Sequence, residues 1–274
     1  MSGPAVWEET RSGTTGELIL TVDIPSGDNP SGFDELVPLL DTPHTVWRAV
    51  ERAEAPLEGG SLAAYVEPWA DAVRAGGHRV RAVLGHRVGS VLAGAIAEAL
   101  GGPGQPPPSV LLVDPELVDT DTVLSAFRRL LAEAPHQLTA EEVDRLALES
   151  DSAAEQCPDD PAALAVRLRS DFIRATRGSG ERARARTGSV DRLSVLALAE
   201  TYDVLPVWAR STALSSSRPD RGLSRSRAAL LLPEAGLVAR EVSFREWHAE
   251  ALSSPVVART VSELLTDARP AVAP

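Results

Sequence analysis

Residues 79–100 read RVRAVLGHRVGSVLAGAIAEAL, and this stretch decides the fold. Its first part, residues 79–84, is a short apolar and β-branched run that predicts a buried strand. Its last part, residues 91–100, is almost entirely apolar and alanine-rich, which predicts a helix. Between them lie residues 85–89, GHRVG, a tight turn with a glycine at each end. The order strand, tight turn, helix predicts that the central side chain, Arg87, is lifted to the carboxyl edge of a sheet.

The stretches before and after continue an alternation of strands and helices. Residues 17–24 (ELILTVDI) and 109–113 (SVLLV) predict two more strands. Short apolar strands that alternate with helices are typical of a mostly parallel central sheet flanked by helices on both faces. We therefore expect one α/β domain over residues 1–274. Further predictions are an irregular lead-in at 1–16, helices at 33–40 and 61–75, a cap at Ser61, a bend at Pro68, and a strand or a helix at 45–55.

The character of the chain changes after Asp114. Residues 115–200 contain helical patterns without a convincing strand, so we interpret them as a helical lid inserted into the α/β domain. Strand patterns return at 205–214 and 241–244, and an amphipathic helix is predicted at 256–265. The lid helices are predicted at 123–134, 139–148, 162–177 and 192–202, and Thr139 and Glu142 form a capping box at the second of them.

Composition narrows the classes of function. The net charge of −12 argues against a nucleic acid or an anionic membrane as partner. The first residues lack the features of a signal peptide, and no apolar run approaches the roughly 20 residues of a membrane span, so we expect a cytoplasmic protein. With one cysteine, Cys157, and isolated histidines, we expect no metal and no cofactor. All 27 basic residues are arginine, which excludes a lysine Schiff base and is typical of a GC-rich, actinobacterial genome.

The turn GHRVG resembles the G-H-S-x-G motif of α/β-hydrolase-fold thioesterases, which release or edit carrier-bound chains in polyketide and nonribosomal-peptide biosynthesis. In many members of that family the acid follows the serine by 27 residues, at the end of the next strand, and Asp114 has that spacing from position 87. The family's histidine lies shortly before a final helix, as His248 does. The resemblance covers residues 17–265 and implies an α/β-hydrolase fold with Asp114 and His248 in its site.

The resemblance also implies which residues surround the substrate. The stretch after the first strand corresponds to the family's oxyanion loop, and two residues flank the centre of the tight turn. His86 has a second interpretation, which is packing within the turn. The substrate-binding and oxyanion-binding candidates are Ile24, Pro25, Ser26, Gly27, His86 and Val88.

The chain departs from the family at position 87, where arginine replaces the serine nucleophile. Arginine is always charged and cannot attack a carbonyl carbon. Ser90 lies in the first helical turn and is expected to face elsewhere. Two interpretations of Arg87 remain. One is a decayed site. The other is an anion-binding site, in which the guanidinium and the helix N-terminus hold a carboxylate, phosphate or enolate oxygen. We favour the second, because Asp114 and His248 remain in place.

Three functions are compatible with this pattern. The first is a thioesterase-like enzyme for a non-hydrolytic step, namely cyclisation, elimination or condensation. In it, His248 is a general base oriented by Asp114, and Arg87 binds the developing oxyanion. The second is a catalytically inactive thioesterase-like protein that binds a carrier protein or an acyl ligand. The third is a serine-independent thioester hydrolase in which His248 activates water.

The expected partner is a small-molecule acyl or polyketide substrate, free or bound to a carrier protein. A cluster of lid arginines is either an ordinary solvated surface or a docking site for an acidic carrier protein. Its members are Arg167, Arg169, Arg174, Arg177, Arg182, Arg184, Arg186 and Arg192.

Overall fold

The structure is a computed structural model. It describes residues 6–23, 32–50, 62–87, 89–102, 106–115, 119–133, 138–176, 225–232, 237–247 and 250–268. The strand predicted at 205–214, the helix predicted at 192–202 and the cap at Ser61 lie outside these residues.

The described residues form seven strands and seven α-helices, with short 3-10 helices at Val37–Leu39 and Ala251–Ser253. The strands are β1 (Trp7–Arg11), β2 (Glu17–Asp23), β3 (Thr45–Ala49), β4 (Arg79–His86), β5 (Ser109–Val113), β6 (Arg225–Leu232) and β7 (Leu237–Trp247). The helices are α1 (Phe33–Leu36), α2 (Leu62–Ala75), α3 (Gly89–Leu100), α4 (Thr120–Glu133), α5 (Ala140–Gln156), α6 (Pro161–Thr176) and α7 (Pro255–Asp267).

All seven strands form one sheet in the order β1-β3-β2-β4-β5-β6-β7. The four central strands β3, β2, β4 and β5 are mutually parallel. The pairs β1–β3, β5–β6 and β6–β7 are antiparallel, so the sheet is mixed where a mostly parallel one was expected. The short connection between β6 and β7 explains why these two strands are antiparallel. A parallel crossover needs a dozen or more residues, and only residues 233–236 separate β6 from β7.

Alternate residues of the central strands pack against helices on opposite faces of the sheet. Leu18 and Leu20 of β2 belong to a cluster with the apolar sides of α2 to α6, while Ile19 belongs to a second cluster with α1 and α7. Val110 and Leu111 of β5 divide between the two clusters in the same way. The prediction of an α/β architecture with helices on both faces is therefore confirmed.

Helices α4, α5 and α6 follow β5 and pack against one another. They join the first cluster through Phe127, Leu146 and Phe172. The capping box of α5 is confirmed, since the Thr139 N–H donates to Glu142 Oε2 at 2.7 Å and the Glu142 N–H donates to Thr139 Oγ1 at 3.2 Å. The hydrogen bonds that the Thr139 N–H and the Thr139 hydroxyl donate to the Glu142 carboxylate lower the pKa of Glu142. That residues 115–200 act as a lid remains a prediction.

Two strands were not predicted. β1 lies in the expected irregular lead-in, and of its residues only Trp7 is buried, where its indole N–H donates to Trp69 O at 2.9 Å. β6 (RSRAALLL) is a short run of alanine and leucine, a pattern that does not separate strand from helix. The ambiguous stretch at 45–55 contains the strand β3, and α2 continues through Pro68. Of the helices in the described ranges, none combines the length and apolar character needed to cross a bilayer.

Candidate functional site

Residues 85–89 form the elbow, which comprises the last two residues of β4, the turn itself and the first residue of α3. β4 ends at His86, α3 begins at Gly89, and Arg87 between them has a φ of 49°. The Arg87 N–H donates to Val113 O at 3.2 Å, and the Ser90 N–H donates to Arg87 O at 3.0 Å. A left-handed backbone costs a residue with a Cβ about 1 kcal/mol or more. The predicted strand-turn-helix is therefore present, with a strained apex at Arg87.

Both glycines of the elbow lie where a side chain has no room. A Cβ on Gly85 would overlap Ser90 Cα and lie 2.8 Å from Ala93 Cβ, because β4 and α3 approach closely there. A Cβ on Gly89 would overlap Val22 O and lie 3.0 Å from the Val22 carbonyl carbon. The two glycines thus let the helix start directly above β4 and β2. This close approach fixes the position of the apex.

Asp114 follows directly after β5 and is 5% exposed, with a φ of 46°. Among the described residues other than glycine, only Arg87 and Asp114 have a positive φ. His86 and Val113 are the last facing pair of β4 and β5, so Arg87 and Asp114 follow that pair on adjacent strands. Strained residues of this kind concentrate at functional sites. The structure therefore brings these two predicted site residues to the same part of the carboxyl edge.

His86 lies beneath the apex and is 3% exposed. Its Nδ1 is 3.3 Å from Asp23 Oδ1, and the Phe33 ring meets the imidazole edge-on at 6.1 Å between centroids. Asp23 ends β2 and faces His86 across the parallel pair. A Cβ on Gly32 would lie 2.5 Å from Asp23 Oδ2, so backbone packs closely against this carboxylate. The pair joins the end of β2 to the end of β4, next to Arg87.

Asp23 was missed in the sequence, although a signal was present. Asp23 ends the apolar run of β2 as Asp114 ends that of β5, so both carboxylates occupy the carboxyl ends of parallel strands. The resemblance placed the oxyanion loop at the residues after Asp23, so Asp23 itself was not predicted as a site residue. His86 is buried against Asp23 and Phe33, an environment that agrees with its packing interpretation.

Ser90 lies in the first turn of α3 and is 3% exposed. Its Oγ is shielded from solvent and has no hydrogen-bond partner in the described structure. Its backbone packs against Gly85 beneath the elbow. A solvent-shielded hydroxyl in this place does not substitute for a serine at the apex.

Six of the predicted site residues lie outside the described residues: Ile24, Pro25, Ser26, Gly27, Val88 and His248. Their described chain neighbours are informative. Asp23, before the predicted oxyanion loop, ends β2 at the carboxyl edge. Trp247, before His248, ends β7. Since β7 is antiparallel to β6 and β6 is antiparallel to β5, β7 also ends at this edge.

The described part of the helical block bears on the proposed docking of a carrier protein. Arg174 forms an ion pair with Asp171 at 2.9 Å, and Arg167 donates to Gln156 Oε1 at 2.7 Å. The adjacent helix α5 is acidic and would repel an acidic partner. Its carboxylates are Glu141, Glu142, Asp144, Glu149, Asp151 and Glu155.

The chain has a match of low similarity among solved structures. No family model matches the chain, and no curated protein matches it. Among solved structures, the chain is similar to the Vlm2 thioesterase domain with genetically encoded 2,3-diaminopropionic acid bound with a dodecadepsipeptide. The two are 17% identical, the match covers 94% of each chain, and the TM-score is 0.37. A TM-score this low supports no conclusion about the function of this chain.

Proposed function

We propose that this chain is an α/β-hydrolase-fold, thioesterase-like enzyme of polyketide or nonribosomal-peptide biosynthesis that catalyses a non-hydrolytic step on a small-molecule acyl substrate. The observation that carries the proposal is the elbow. Its apex keeps a strained backbone at a φ of 49°, and both flanking glycines keep their close approaches, although the apex residue is Arg87. Strain of this kind persists only where the surrounding structure enforces it, and strained residues are concentrated at active sites and ligand-binding sites.

The proposed role of Arg87 is to bind negative charge. The guanidinium belongs to the residue that leads into α3, and the dipole of a helix favours an anion at the N-terminus of the helix. A carbonyl oxygen that gains charge during the reaction is a suitable ligand for such a place. Because Arg87 cannot form an acyl-enzyme, the proposed reaction uses no enzyme nucleophile.

The proposed base is His248, oriented by Asp114. Two placements support this pairing. Asp114 is buried at the end of β5, and Trp247, the residue before His248, ends β7 at the same edge of the sheet. A buried carboxylate that holds one imidazole nitrogen leaves the other free to accept a proton.

The proposed proton path is short. His248 takes a proton from a C–H, O–H or N–H group of the substrate, and the electrons that remain attack or rearrange within the same substrate molecule. The developing negative charge rests on a carbonyl oxygen beside Arg87. His248 then returns the proton to the leaving group or to the product. Cyclisation, elimination and intramolecular condensation all satisfy this balance.

The test is a panel of carrier-bound and N-acetylcysteamine acyl thioesters, with free thiol and substrate mass followed together. Wild type is compared with His248→Ala, Asp114→Asn and Arg87→Ser. The matched control is His78→Ala, since His78 is an exposed histidine at the amino end of β4. We expect wild type to convert one substrate to a product that has not gained water, and His248→Ala to lose at least roughly a hundredfold in rate.

Other results would assign a different function. Thiol release with gain of water, dependent on His248 in the wild type, would make the protein a serine-independent hydrolase. Binding of an acyl thioester without turnover, and equally by His248→Ala, would make it a binding protein. Thiol release that appears only in Arg87→Ser would instead support the proposed non-hydrolytic role, because it would indicate an intact site whose nucleophile has been replaced.

A further inference from the structure

The strand β7 is the outermost described strand on its side of the sheet. It is eleven residues long, so it presents an extended edge. On one face of β7 the side chains of Glu241, Ser243, Arg245 and Trp247 are all exposed, and Trp247 is 44% exposed. An outer strand of this length offers unpaired backbone groups to another strand unless it is protected.

The sequence of this edge is complementary to itself. Residues 240–246 read REVSFRE. In an antiparallel pair of two identical strands with Ser243 opposite Ser243, Arg240 faces Glu246 and Glu241 faces Arg245. Each of these pairs occurs twice by symmetry, which makes four ion pairs. Val242 faces Phe244, so an apolar contact forms on the face of the pair opposite to Ser243.

The pairing of β7 with β6 is irregular between Ser243 and Trp247, but where residues 240–246 of two copies oppose one another one to one, only this register pairs all the charges. A two-fold axis perpendicular to the sheet requires that one residue faces its own copy. If that residue is Glu241 or Arg245, two like charges face each other. If that residue is Val242 or Phe244, every charged residue that has a partner within residues 240–246 faces serine, phenylalanine or valine, so no ion pair forms within this segment. The charge pattern therefore specifies Ser243 as the centre.

Helix α7 holds two of these charged side chains in place. Arg240 forms an ion pair with Asp267 at 3.1 Å, and Ser254 Oγ donates to Glu246 Oε1 at 3.2 Å. The helix thus runs alongside β7 in the opposite direction, with contacts at both ends. Arg240 and Glu246 lie on the α7 face of the strand, and Glu241 and Arg245 lie on the other face. Each face of a paired edge would carry two of the four ion pairs.

We infer that β7 pairs with β7 of a second copy of this chain, antiparallel and centred on Ser243, in a two-fold dimer with a continuous sheet. Opposite charges across a strand pair stabilise it, and like charges destabilise it. This inference does not depend on the proposed function.

The first test is the mass of the full chain in solution by light scattering and sedimentation over a wide range of protein concentration. We expect twice the chain mass of 29.0 kDa. Glu241→Arg and Arg245→Glu each place like charges opposite one another and should weaken the dimer roughly tenfold. The double variant Glu241→Arg/Arg245→Glu restores opposite charges and should recover the dimer. Circular dichroism and thermal unfolding show whether each variant folds.

The second test traps the register. Directly opposed residues of antiparallel strands have Cα atoms about 4.5–5.5 Å apart, within the range that a disulfide accepts. Ser243→Cys in a Cys157→Ala background should form a covalent dimer under a mild thiol oxidant, in which two thiols are oxidised to one disulfide. Ser152→Cys in the same background is the control, because Ser152 is exposed on α5.

Two results would overturn the inference. One is a monomer at every concentration in the wild type. The pairing of β7 with β6 shifts register twice, and bulges and charges are also devices that protect an edge, so a monomer would assign them that role. The other is a dimer that survives both single charge reversals, combined with a Ser243→Cys variant that cross-links as slowly as the Ser152→Cys control.

Discussion

The two ends of the strands β2 and β4 contrast sharply. At the amino end, Glu17 lies 3.3 Å from Arg79, 3.7 Å from Arg81 and 3.7 Å from His44, so one carboxylate contacts three basic side chains. At the carboxyl end, Arg87 has a left-handed backbone, and the partly buried Asp23 carboxylate meets the buried His86 imidazole next to it. The same two strands thus end in a cluster of ion pairs around Glu17 on one side and in a strained turn on the other.

The two ends differ in how far the local backbone is relaxed. The amino end contains no positive φ among its described residues other than glycine, and its charges oppose one another. The carboxyl end combines a strained apex with glycines that tolerate no side chain. Proteins depart from local consistency mainly at functional sites. The variants below test whether this asymmetry has the energetic consequences that the geometry implies.

The largest effect is expected for Gly89→Ala. A Cβ at this position would overlap Val22 O, and backbone cannot move aside as easily as a side chain can. We expect the free energy of unfolding to fall by about 3 kcal/mol, at the upper end of the overpacking range. Urea unfolding followed by circular dichroism measures it.

The control for this variant is Gly16→Ala. Gly16 precedes β2 at the amino end, and a Cβ there would meet nothing within 4 Å. Its stability should change by less than about 1 kcal/mol. Equal losses in the two variants would contradict the close approach of α3 to β2.

The next effect is expected for Asp23→Ala. Removing this carboxylate leaves the buried His86 Nδ1 without its partner at 3.3 Å. We expect a loss of about 2 kcal/mol in the free energy of unfolding, since an unsatisfied buried group bears most of its desolvation cost. Glu17→Ala at the other end should cost about 1 kcal/mol, because its arginine partners reach solvent. A larger loss for Glu17→Ala would reverse the comparison.

The elbow was predictable because it is local. Gly85 and Gly89 stand at a fixed spacing between a β-branched run and an alanine-rich run, and these few residues determine the turn. Asp114 could be placed because it directly follows an apolar strand. Capping of α5 by Thr139 is equally local, and the structure confirms it.

The remaining features depend on contacts between distant parts of the chain. β1 exposes most of its residues and is recognisable as a strand only through its pairing with β3. The pairing of Asp23 with His86 joins residues 63 positions apart. The antiparallel direction of β6 follows from how the chain returns to the sheet after β5, which no local pattern in RSRAALLL records.

A smaller effect is expected when arginine is replaced by glycine or by alanine at positions 87 and 79. The difference in stability between the glycine and alanine variants should have opposite signs at the two positions. At position 87, with a φ of 49°, glycine relieves the strain that alanine keeps. Arg87→Gly should therefore be more stable than Arg87→Ala by about 1 kcal/mol. At position 79, the first residue of β4, φ is not positive, and the order should reverse by about 0.5 kcal/mol. Alanine above glycine at both positions would mean that the apex is not strained.

The smallest effect concerns pH and the amino end alone. Burial lowers the pKa of His44 below its usual value of 6.5; Glu17 opposes this shift, and Arg81 adds to it. The unfolded chain therefore binds this proton more tightly than the folded protein does, so the free energy of unfolding falls as the pH drops below 6.5. His44→Gln should remove this part of the acid sensitivity, whereas His78→Gln, at an exposed position, should not. The measurement is the urea midpoint of wild type and of both variants, taken above and below pH 6.5. An unchanged slope in His44→Gln would mean that Glu17 compensates the burial of His44 in full, and the amino end would then be even better balanced than its distances suggest.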